Sequence, residues 1–361
     1  MQKMKIYWIK GNQPISFNRP HVWLVLGMRG AGKSAFLERL GEYHLQNGNC
    51  ILDLFAARSG ENLAWLRSPW REEKRILLLS AENAIVEPPD DVFVKPYAAL
   101  SLEDFENFDI IINSCILYPN IDSEFHAVNR IIDKLWQRRK WNRLVFVICR
   151  EAANLMYSRM KVAETQTLAK SFLAYWLRES RHSGCSLGVD SQRFMALDID
   201  IRNLTDFLIL KAQGALGLPR DMHFIYRYFK PEWLQHMQPN EFAVLSRQGC
   251  IGLGAFTCPE WHAREGEDVA GKVGLKVKFE ERPEEGEYRG RYSTVGDMEH
   301  AEICRLYSEG LSMHKIASQT GRSTKTILDH INRHDASVTK LGYCPACRRA
   351  KSPVEAVKLK K

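Results

Sequence analysis

The sequence predicts an α/β fold with a mostly parallel central sheet, followed by a small all-helical domain. Short apolar runs alternate with helical patterns over most of the first 275 residues, and this alternation is typical of a parallel sheet that is covered on both faces. Between about residues 224 and 256, short strand patterns follow one another without helices, which indicates an antiparallel extension. Near the carboxyl end, three short helical patterns are separated by glycines.

These patterns place the elements and the boundaries between the parts of the chain. Helices are predicted at Val128–Trp141 and Thr165–Arg181. The apolar runs predict strands at residues 21–26, 50–55, 75–79, 109–112, 144–148, 186–189 and 207–210. We expect one large domain over residues 1–275, a charged linker over 276–296, a helix-turn-helix domain over 297–337 and a basic tail over 338–361.

The composition narrows the class of protein. No apolar stretch approaches the ~18 residues of a membrane span, and residues 1–5 lack the apolar core of a signal peptide. We therefore expect a cytoplasmic protein that does not bind membranes. The 9 cysteines are an odd number scattered through strand and helix patterns, as in a reduced protein without disulfides. Residues 297–361 carry 12 Lys and Arg against 7 Asp and Glu, which indicates an anionic partner for this end.

A phosphate-binding loop follows the first apolar run. The segment matches G-x-x-x-x-G-K-[ST], with a strand pattern before it and a helix pattern after it, so a Gly-rich turn without function is the weaker interpretation. Backbone amides of such a loop surround the phosphates of ATP, while Lys33 reaches the β and γ phosphates and the Ser34 hydroxyl holds Mg²⁺. The expected nucleotide-binding residues are Gly27, Met28, Arg29, Gly30, Ala31, Gly32, Lys33, Ser34 and Ala35.

An acidic residue ends a later strand. The run 144–149 resembles a Walker B strand and is followed by Arg150 and Glu151, so Glu151 is expected to orient and deprotonate the attacking water. The alternative is that Glu151 only begins a helix with an acidic first turn. Arg150 stands where such strands usually carry Asp. The residue that supplies a carboxylate near Mg²⁺ is therefore not identified by this strand, and Asp53 at another strand end is a possible substitute. Gln192, after a third strand, is a candidate for hydrogen bonding to the γ-phosphate or the water.

The order and spacing of these three elements resemble the HerA/FtsK-type P-loop ATPases over roughly residues 20–260, most specifically at the phosphate loop. The family includes DNA translocases and the packaging ATPases of viruses and plasmids. The resemblance implies a RecA-like core, a hexameric ring and ATP hydrolysis coupled to movement along DNA. It also implies an arginine supplied by the neighbouring subunit. Arg181 fits that role by position, Arg178 and Arg202 are rivals, and an ordinary surface arginine is the alternative.

The helical end resembles the DNA-binding domain of Hin-type recombinases over residues 301–327. In that family the third helix enters the major groove. By this resemblance Thr324, Lys325 and Thr326 reach base edges of double-stranded DNA, and Arg322 and Arg333 meet phosphates. The alternative is a helical module that binds protein instead.

Cysteines and histidines near the end raise the question of a metal. Cys344 and Cys347 form a single C-x₂-C motif, and His330 and His334, four residues apart on one helix, could complete a tetrahedral zinc set. Free thiols are the alternative. A second candidate set, Cys250, Cys258 and His262, is better explained by packing.

The sequence as a whole favours an ATP-driven motor that translocates or packages double-stranded DNA and is targeted by its helix-turn-helix. An ATP-switched DNA-binding regulator or recombination accessory protein is the alternative, since Arg150 replaces the usual acid. A small-molecule kinase would have no need of a helix-turn-helix.

Overall fold

The computed structural model describes residues 4–56, 60–139, 141–155, 182–192, 194, 197, 199–214, 217–218, 220–264, 266–280, 297–341 and 343–344. The chain forms two compact units, Met1–Glu281 and Arg282–Lys361. None of the helices in the described ranges combines the length and the apolar character that crossing a membrane requires.

The first unit is built from strands, α-helices and 3₁₀ helices. Its strands are β1 Lys5–Lys10, β2 Val22–Leu26, β3 Cys50–Phe55, β4 Ile76–Ser80, β5 Ala84–Glu87, β6 Val92–Pro96, β7 Ile110–Asn113, β8 Val145–Cys149, β9 Cys185–Ser191, β10 Phe207–Leu210, β11 Glu241–Ser246, β12 Ile251–Ala255 and β13 Lys276–Phe279. Its α-helices are α1 Lys33–Gln46, α2 Asp104–Asn107, α3 Ile121–Gln137, α4 Ile199–Leu204, α5 Pro231–His236 and α6 Val269–Lys272. 3₁₀ helices lie at Glu61–Arg67, Pro69–Arg71, Tyr97–Ala99, Cys115–Leu117 and Arg220–Arg227.

Eleven of the strands form one sheet, in the order β1-β12-β11-β10-β2-β9-β8-β3-β7-β4-β6. From β10 to β6 every neighbouring pair is parallel. β11, β12 and β1 extend the β10 edge in antiparallel pairing. The predicted α/β fold with a mostly parallel sheet and an antiparallel extension is therefore confirmed, and β10 has the predicted bounds.

Both faces of this sheet are covered, which explains why its strands are apolar without alternation. Leu24 of β2 lies in one buried cluster with Phe125 and Val128 of α3. Val25, the next residue along β2, lies in the opposite cluster with Phe36 of α1. Successive strand side chains point to opposite faces, so the helices sit on both sides of the parallel strands.

Several sequence predictions differ from the structure. Asn120 accepts a hydrogen bond from the Ser123 amide at 2.9 Å and caps α3, so the helix begins at Ile121 rather than Val128 and ends at Gln137 rather than Trp141. The region predicted to contain only short strands begins with the end of a 3₁₀ helix and with α5, which precede β11 and β12. The start of the expected linker is β13, which pairs antiparallel with β5. The predicted helix over 165–181 and residues 281–296 lie outside the described ranges.

The second unit contains three helices where the sequence predicts them. They are α7 Asp297–Ser308, α8 Met313–Thr320 and α9 Thr324–Leu341. Gly321 ends α8 in the left-handed conformation with φ of 67°, and the Ser312 and Ser323 hydroxyls accept the Lys315 and Thr326 amides. α9 continues beyond residue 337, so the first residues of the expected basic tail are helical.

Candidate functional site

The phosphate loop connects β2 to α1 at the carboxyl edge of the parallel strands. Gly30 and Gly32 have φ of 74° and 78°, a conformation that other residues avoid. A Cβ on Gly32 would lie 2.5 Å from the Pro239 carbonyl oxygen, so this position also has no room for a side chain. The first intrahelical bond of α1 runs from the Phe36 amide to Gly32 O at 3.1 Å. The amides of the first turn, at residues 33–35, therefore precede that bond and point toward the loop, as an anion site at a helix start requires.

The loop is held to its neighbours by its own first amides. Gly27 N donates to Ser191 O at 3.3 Å, and Met28 N donates to Ala212 O at 2.8 Å. The Lys33 ammonium donates to Met28 O at 3.2 Å and is almost fully buried. These contacts fix the curvature of the loop from the strand ends, which leaves the later amides to face a ligand.

A cavity of about 790 Å³ opens beside the loop, within the size range of ligand pockets. Predicted residues from three separate places in the chain meet there. They are Arg29, Gly30, Gly32, Lys33, Ser34 and Ala35 of the loop, together with Glu151 and Gln192. The structure thus brings the three predicted elements to one place, while the roles assigned to these residues stay predictions.

Glu151 lies directly after β8 in an unusual backbone conformation. Its φ is 47°, which costs free energy for a residue with a side chain and recurs at active sites. The Gln192 amide donates to Glu151 Oε1 at 3.2 Å, so these two predicted residues touch. Residues 151–155 form turns, so the alternative that Glu151 begins a helix does not hold for this stretch.

Asp190, at the end of β9, was missed by the sequence prediction. Its carboxylate accepts from the Ser34 hydroxyl at 3.3 Å and from the Glu151 amide at 2.5 Å. Burial raises the pKa of Asp190 to about 6, with Lys33 opposing the shift and Glu151 adding to it. The feature of the sequence that could have identified Asp190 is its place at the end of an apolar strand, two residues before the predicted Gln192.

Asp53, the predicted substitute near Mg²⁺, is occupied elsewhere. Its Oδ2 accepts from Arg150 Nη2 at 2.6 Å and from the Trp65 indole at 2.9 Å, and the side chain is fully buried. It is not among the residues that line the cavity. Arg150 therefore keeps Asp53 within the core, and among the described residues it is Asp190 that contacts Ser34.

Arg150 also binds a second carboxylate. Its Nη1 donates to Glu38 Oε1 at 2.7 Å, and the other oxygen of Glu38 lies 2.7 Å from His262 Nδ1 at the cavity. Burial alone would raise the pKa of Glu38, but the Arg150 guanidinium and the His262 ring hold it below its usual value. The arginine in place of the usual acid is thus the centre of a buried ion cluster made of Arg150, Glu38 and Asp53.

Lys211, after β10, was also missed. Its ammonium donates to the carbonyls of Pro239 at 2.6 Å and Glu241 at 2.5 Å. Burial lowers its pKa to about 7, although Cys258 and Glu241 oppose the shift. Because Pro239 O is the atom that faces Gly32, Lys211 fixes the wall against which the phosphate loop packs.

The arginine candidates receive little support from the described residues. Arg181 and its rival Arg178 lie outside the described ranges. Arg202 stacks over the Phe194 ring, 5.0 Å from its centre.

In the second unit, the third helix carries the predicted DNA contacts. Lys325 and Arg333 are exposed, while Thr324 and Thr326 are half-buried. Arg322 is different: its guanidinium pairs with both oxygens of Glu299 at 2.8 and 2.9 Å, and both side chains are largely buried. Two of its donors already bind a carboxylate of α7, and the phosphate contact of Arg322 stays a prediction.

The predicted zinc ligands are only partly brought together. His334 and Cys344 lie in a buried group with His300 of α7, a residue that the sequence prediction did not include. His330 lies outside that group, and Cys347 lies outside the described residues. The second candidate set does not assemble: Cys258 and His262 line the cavity, whereas Cys250 packs against Gly11. Among the described residues, the cysteines form no disulfide with one another.

Comparisons with known proteins give likenesses of fold at low sequence identity. The chain is similar to the genome packaging NTPase B204 from Sulfolobus turreted icosahedral virus 2 in complex with ATP-gammaS, with 13% identity, a TM-score of 0.38, and coverage of 66% of this chain and 98% of that one. It is similar to the pCW3 conjugation coupling protein TcpA with 13% identity, a TM-score of 0.39, and coverage of 76% and 70%. It is similar to EccC of Thermomonospora curvata with 12% identity, a TM-score of 0.37, and coverage of 67% of this chain and 37% of that one. No protein-family model and no curated protein sequence matches the chain.

Proposed function

We propose that this chain is an ATP-hydrolysing motor that translocates or packages double-stranded DNA. The observation that carries the proposal is the meeting of Lys33, Ser34, Glu151 and Gln192 around one cavity at the carboxyl edge of the sheet. A triphosphate seated on the amides of the α1 start would place its terminal phosphate toward Glu151 and Gln192, because these residues line the same cavity as the loop.

Each of these residues has a separate role in hydrolysis. Lys33 balances charge on the β and γ phosphates, and Glu151 accepts the proton of the attacking water. Gln192, through its bond to Glu151, holds the carboxylate in place for the water. Asp190 accepts a hydrogen bond from the Ser34 hydroxyl, which leaves a lone pair of that oxygen for a cation.

The same oxygens suit Mg²⁺, which prefers hydroxyl, carboxylate and phosphate ligands. Ser34 would bind the ion directly, and Asp190 would orient the Ser34 hydroxyl through their hydrogen bond. A bound Mg²⁺ neutralises charge that develops on the phosphates during transfer.

The helix-turn-helix would select the DNA. Lys325, Thr324 and Thr326 at the start of α9 would face base edges, and Arg333 would contact phosphate. We propose a homo-oligomer, a hexamer by resemblance to the HerA/FtsK-type ATPases, in which Arg181 of a neighbouring subunit completes each site. Arg178 and Arg202 stay its rivals.

The first experiment measures ATP turnover by the full chain with and without duplex DNA. A motor is expected to hydrolyse ATP faster on duplex DNA. Slow turnover that DNA does not change, combined with ATP-dependent assembly, would instead establish the ATP-switched regulator. Arg150 in place of the usual acid is the observation that keeps this second candidate.

The second experiment replaces Glu151. Glu151→Gln keeps the shape but removes the base, so turnover is expected to fall about 10²- to 10⁴-fold while ATP still binds. Glu61→Gln is the matched control, since Glu61 lines the same cavity and has no role in the mechanism. Unchanged turnover in Glu151→Gln would remove Glu151 from the mechanism.

A further inference from the structure

The three-helix unit has a small apolar core. Its buried cluster consists of Ile303, Leu306, Ile316, Ile327 and Ile331. Domains of this size bury too little apolar surface to be strongly stable, and many add a metal ion or disulfides. A second source of stability is therefore expected in this unit.

Next to that core lies a buried group of nitrogen and sulfur donors. His300 on α7, His334 on α9 and Cys344 after α9 come from three separate segments, and each is at most 5% exposed. One ligand atom from each lies within 4.8 Å of the others. Cys344 Sγ is 3.4 Å from His300 Nε2.

These distances fit a tetrahedral zinc site. Zn–N bonds of about 2.0–2.1 Å and Zn–S bonds of about 2.3 Å at the tetrahedral angle separate nitrogen from sulfur by about 3.6 Å. The observed 3.4 Å between Cys344 and His300 is close to that edge. Two imidazoles and a thiolate select zinc over magnesium, which prefers oxygen.

The outer contact of His300 also fits. Its other ring nitrogen, Nδ1, lies 3.1 Å from Nδ1 of His330. Histidines that bind zinc through one nitrogen usually form a hydrogen bond with the other, which fixes the ring. His330, predicted as a ligand from its spacing, takes the place of this orienting partner.

We propose that His300, His334 and Cys344 bind a structural Zn²⁺ that fastens the chain after α9 to α7 and α9. The juxtaposition of two buried imidazoles and a buried thiol carries the proposal. Cys304 is the candidate for the fourth position, because its Sγ lies 3.7 Å from His300 Nε2.

The test measures zinc in the purified full chain by elemental analysis, with no chelator during purification. About one zinc per chain is expected, and it should be lost in His300→Ala, His334→Ala and Cys344→Ser. His314→Ala, an exposed histidine of α8, and Cys258→Ser, an exposed thiol of the first unit, are matched controls that should keep it. Loss of zinc in Cys304→Ser would identify Cys304 as the fourth ligand, and retention would exclude it.

A second measurement needs no substitution. The natural chain, stripped of metal and titrated with Co²⁺, should develop the charge-transfer absorption of a thiolate bound to cobalt. That band should be absent in Cys344→Ser. A natural chain that contains no zinc and shows no such band would overturn the proposal, as would a Cys344→Ser protein that binds metal like the natural one. Neither readout depends on ATP, so failure here leaves the proposed motor function untouched.

Discussion

Arg150 is the residue whose replacement tests the structure most directly. Its guanidinium binds Glu38 at 2.7 Å and Asp53 at 2.6 Å, and all three side chains are 0% exposed. Arg150→Met removes the positive charge at nearly constant size and leaves two carboxylates in the core. Removing one partner of a buried ion pair typically costs about 3–5 kcal/mol. With two carboxylates affected, we expect the free energy of unfolding to fall by at least that amount.

The loss should depend on pH in a definite direction. Arg150 is the main influence that keeps the pKa of Glu38 below its usual value against the effect of burial. Without the guanidinium, burial is opposed mainly by the His262 ring, so the pKa of Glu38 is expected to rise. The Arg150→Met protein should therefore bind protons more readily when folded, and its deficit should shrink as the pH is lowered toward 5.

Urea unfolding followed by tryptophan fluorescence is the appropriate assay. All 9 tryptophans precede residue 262, so the signal reports the first unit alone. The triple variant Arg150→Met, Glu38→Gln, Asp53→Asn removes every charge of the cluster and is expected to recover most of the loss. A single variant within about 1 kcal/mol of the natural protein would refute the reasoning, as would a triple variant no more stable than the single one.

Three further predictions follow from the geometry. Turnover should rise with pH through about 6, where Asp190 ionises, and Asp190→Asn should lose this limb of the pH profile and most of the activity. The folded pKa of Asp190 lies above the usual 3.8, so the natural protein loses stability as pH rises from 3.8 through about 6. Asp190→Asn has no carboxylate to ionise there, so its stability relative to the natural protein should increase over this range. A relative increase on lowering the pH would contradict the shift. Gly30→Ala and Gly32→Ala share a positive φ, but only Gly32 faces a backbone carbonyl, so thermal unfolding should show about 1–2 kcal/mol lost for the first and more for the second; equal losses would exclude the contact. Lys325→Ala should weaken duplex DNA binding and lower its salt dependence, measured by fluorescence anisotropy at several salt concentrations, whereas Lys315→Ala on α8 should not; the opposite ranking would remove α9 from the DNA interface.

The parts of the fold that the sequence predicted are those with strong local signals. β10 at Phe207–Leu210 is an unbroken apolar run, because it is buried on both faces. β5 and β13 were not predicted because they are short, with side chains alternately exposed and half-buried. Such strands are defined by the partner they pair with, and a pairing between residues 84–87 and 276–279 leaves no local pattern in the chain.

The site residues also divide into those with a local sequence signal and those defined by contacts between distant parts of the chain. Lys33, Ser34 and Glu151 are recognisable because a loop motif and a strand end mark them. The prediction named Asp53 and missed Asp190, although both carboxylates lie within apolar strands, β3 and β9. The difference is that Arg150 binds Asp53. Contacts of this kind depend on which strand ends become neighbours, and that order is set by the whole sheet.

One predicted zinc ligand, His330, lies outside the buried group of donors for a related reason. His330 and His334 share a helical repeat, so spacing alone favours them as a pair. His300 joins His334 only because α7 packs against α9. Spacing describes one helix, whereas a buried site usually joins several.

The single carboxylate of Asp190 touches both Ser34, on the nucleotide side, and the backbone that presents Glu151. A substitution there disturbs the grip on the nucleotide and the delivery of the base together, so it cannot yield a protein that binds normally yet stays inert. Variants that bind ATP without hydrolysing it have to be made at Glu151 or Gln192, because replacing these side chains leaves the contacts of Asp190 in place.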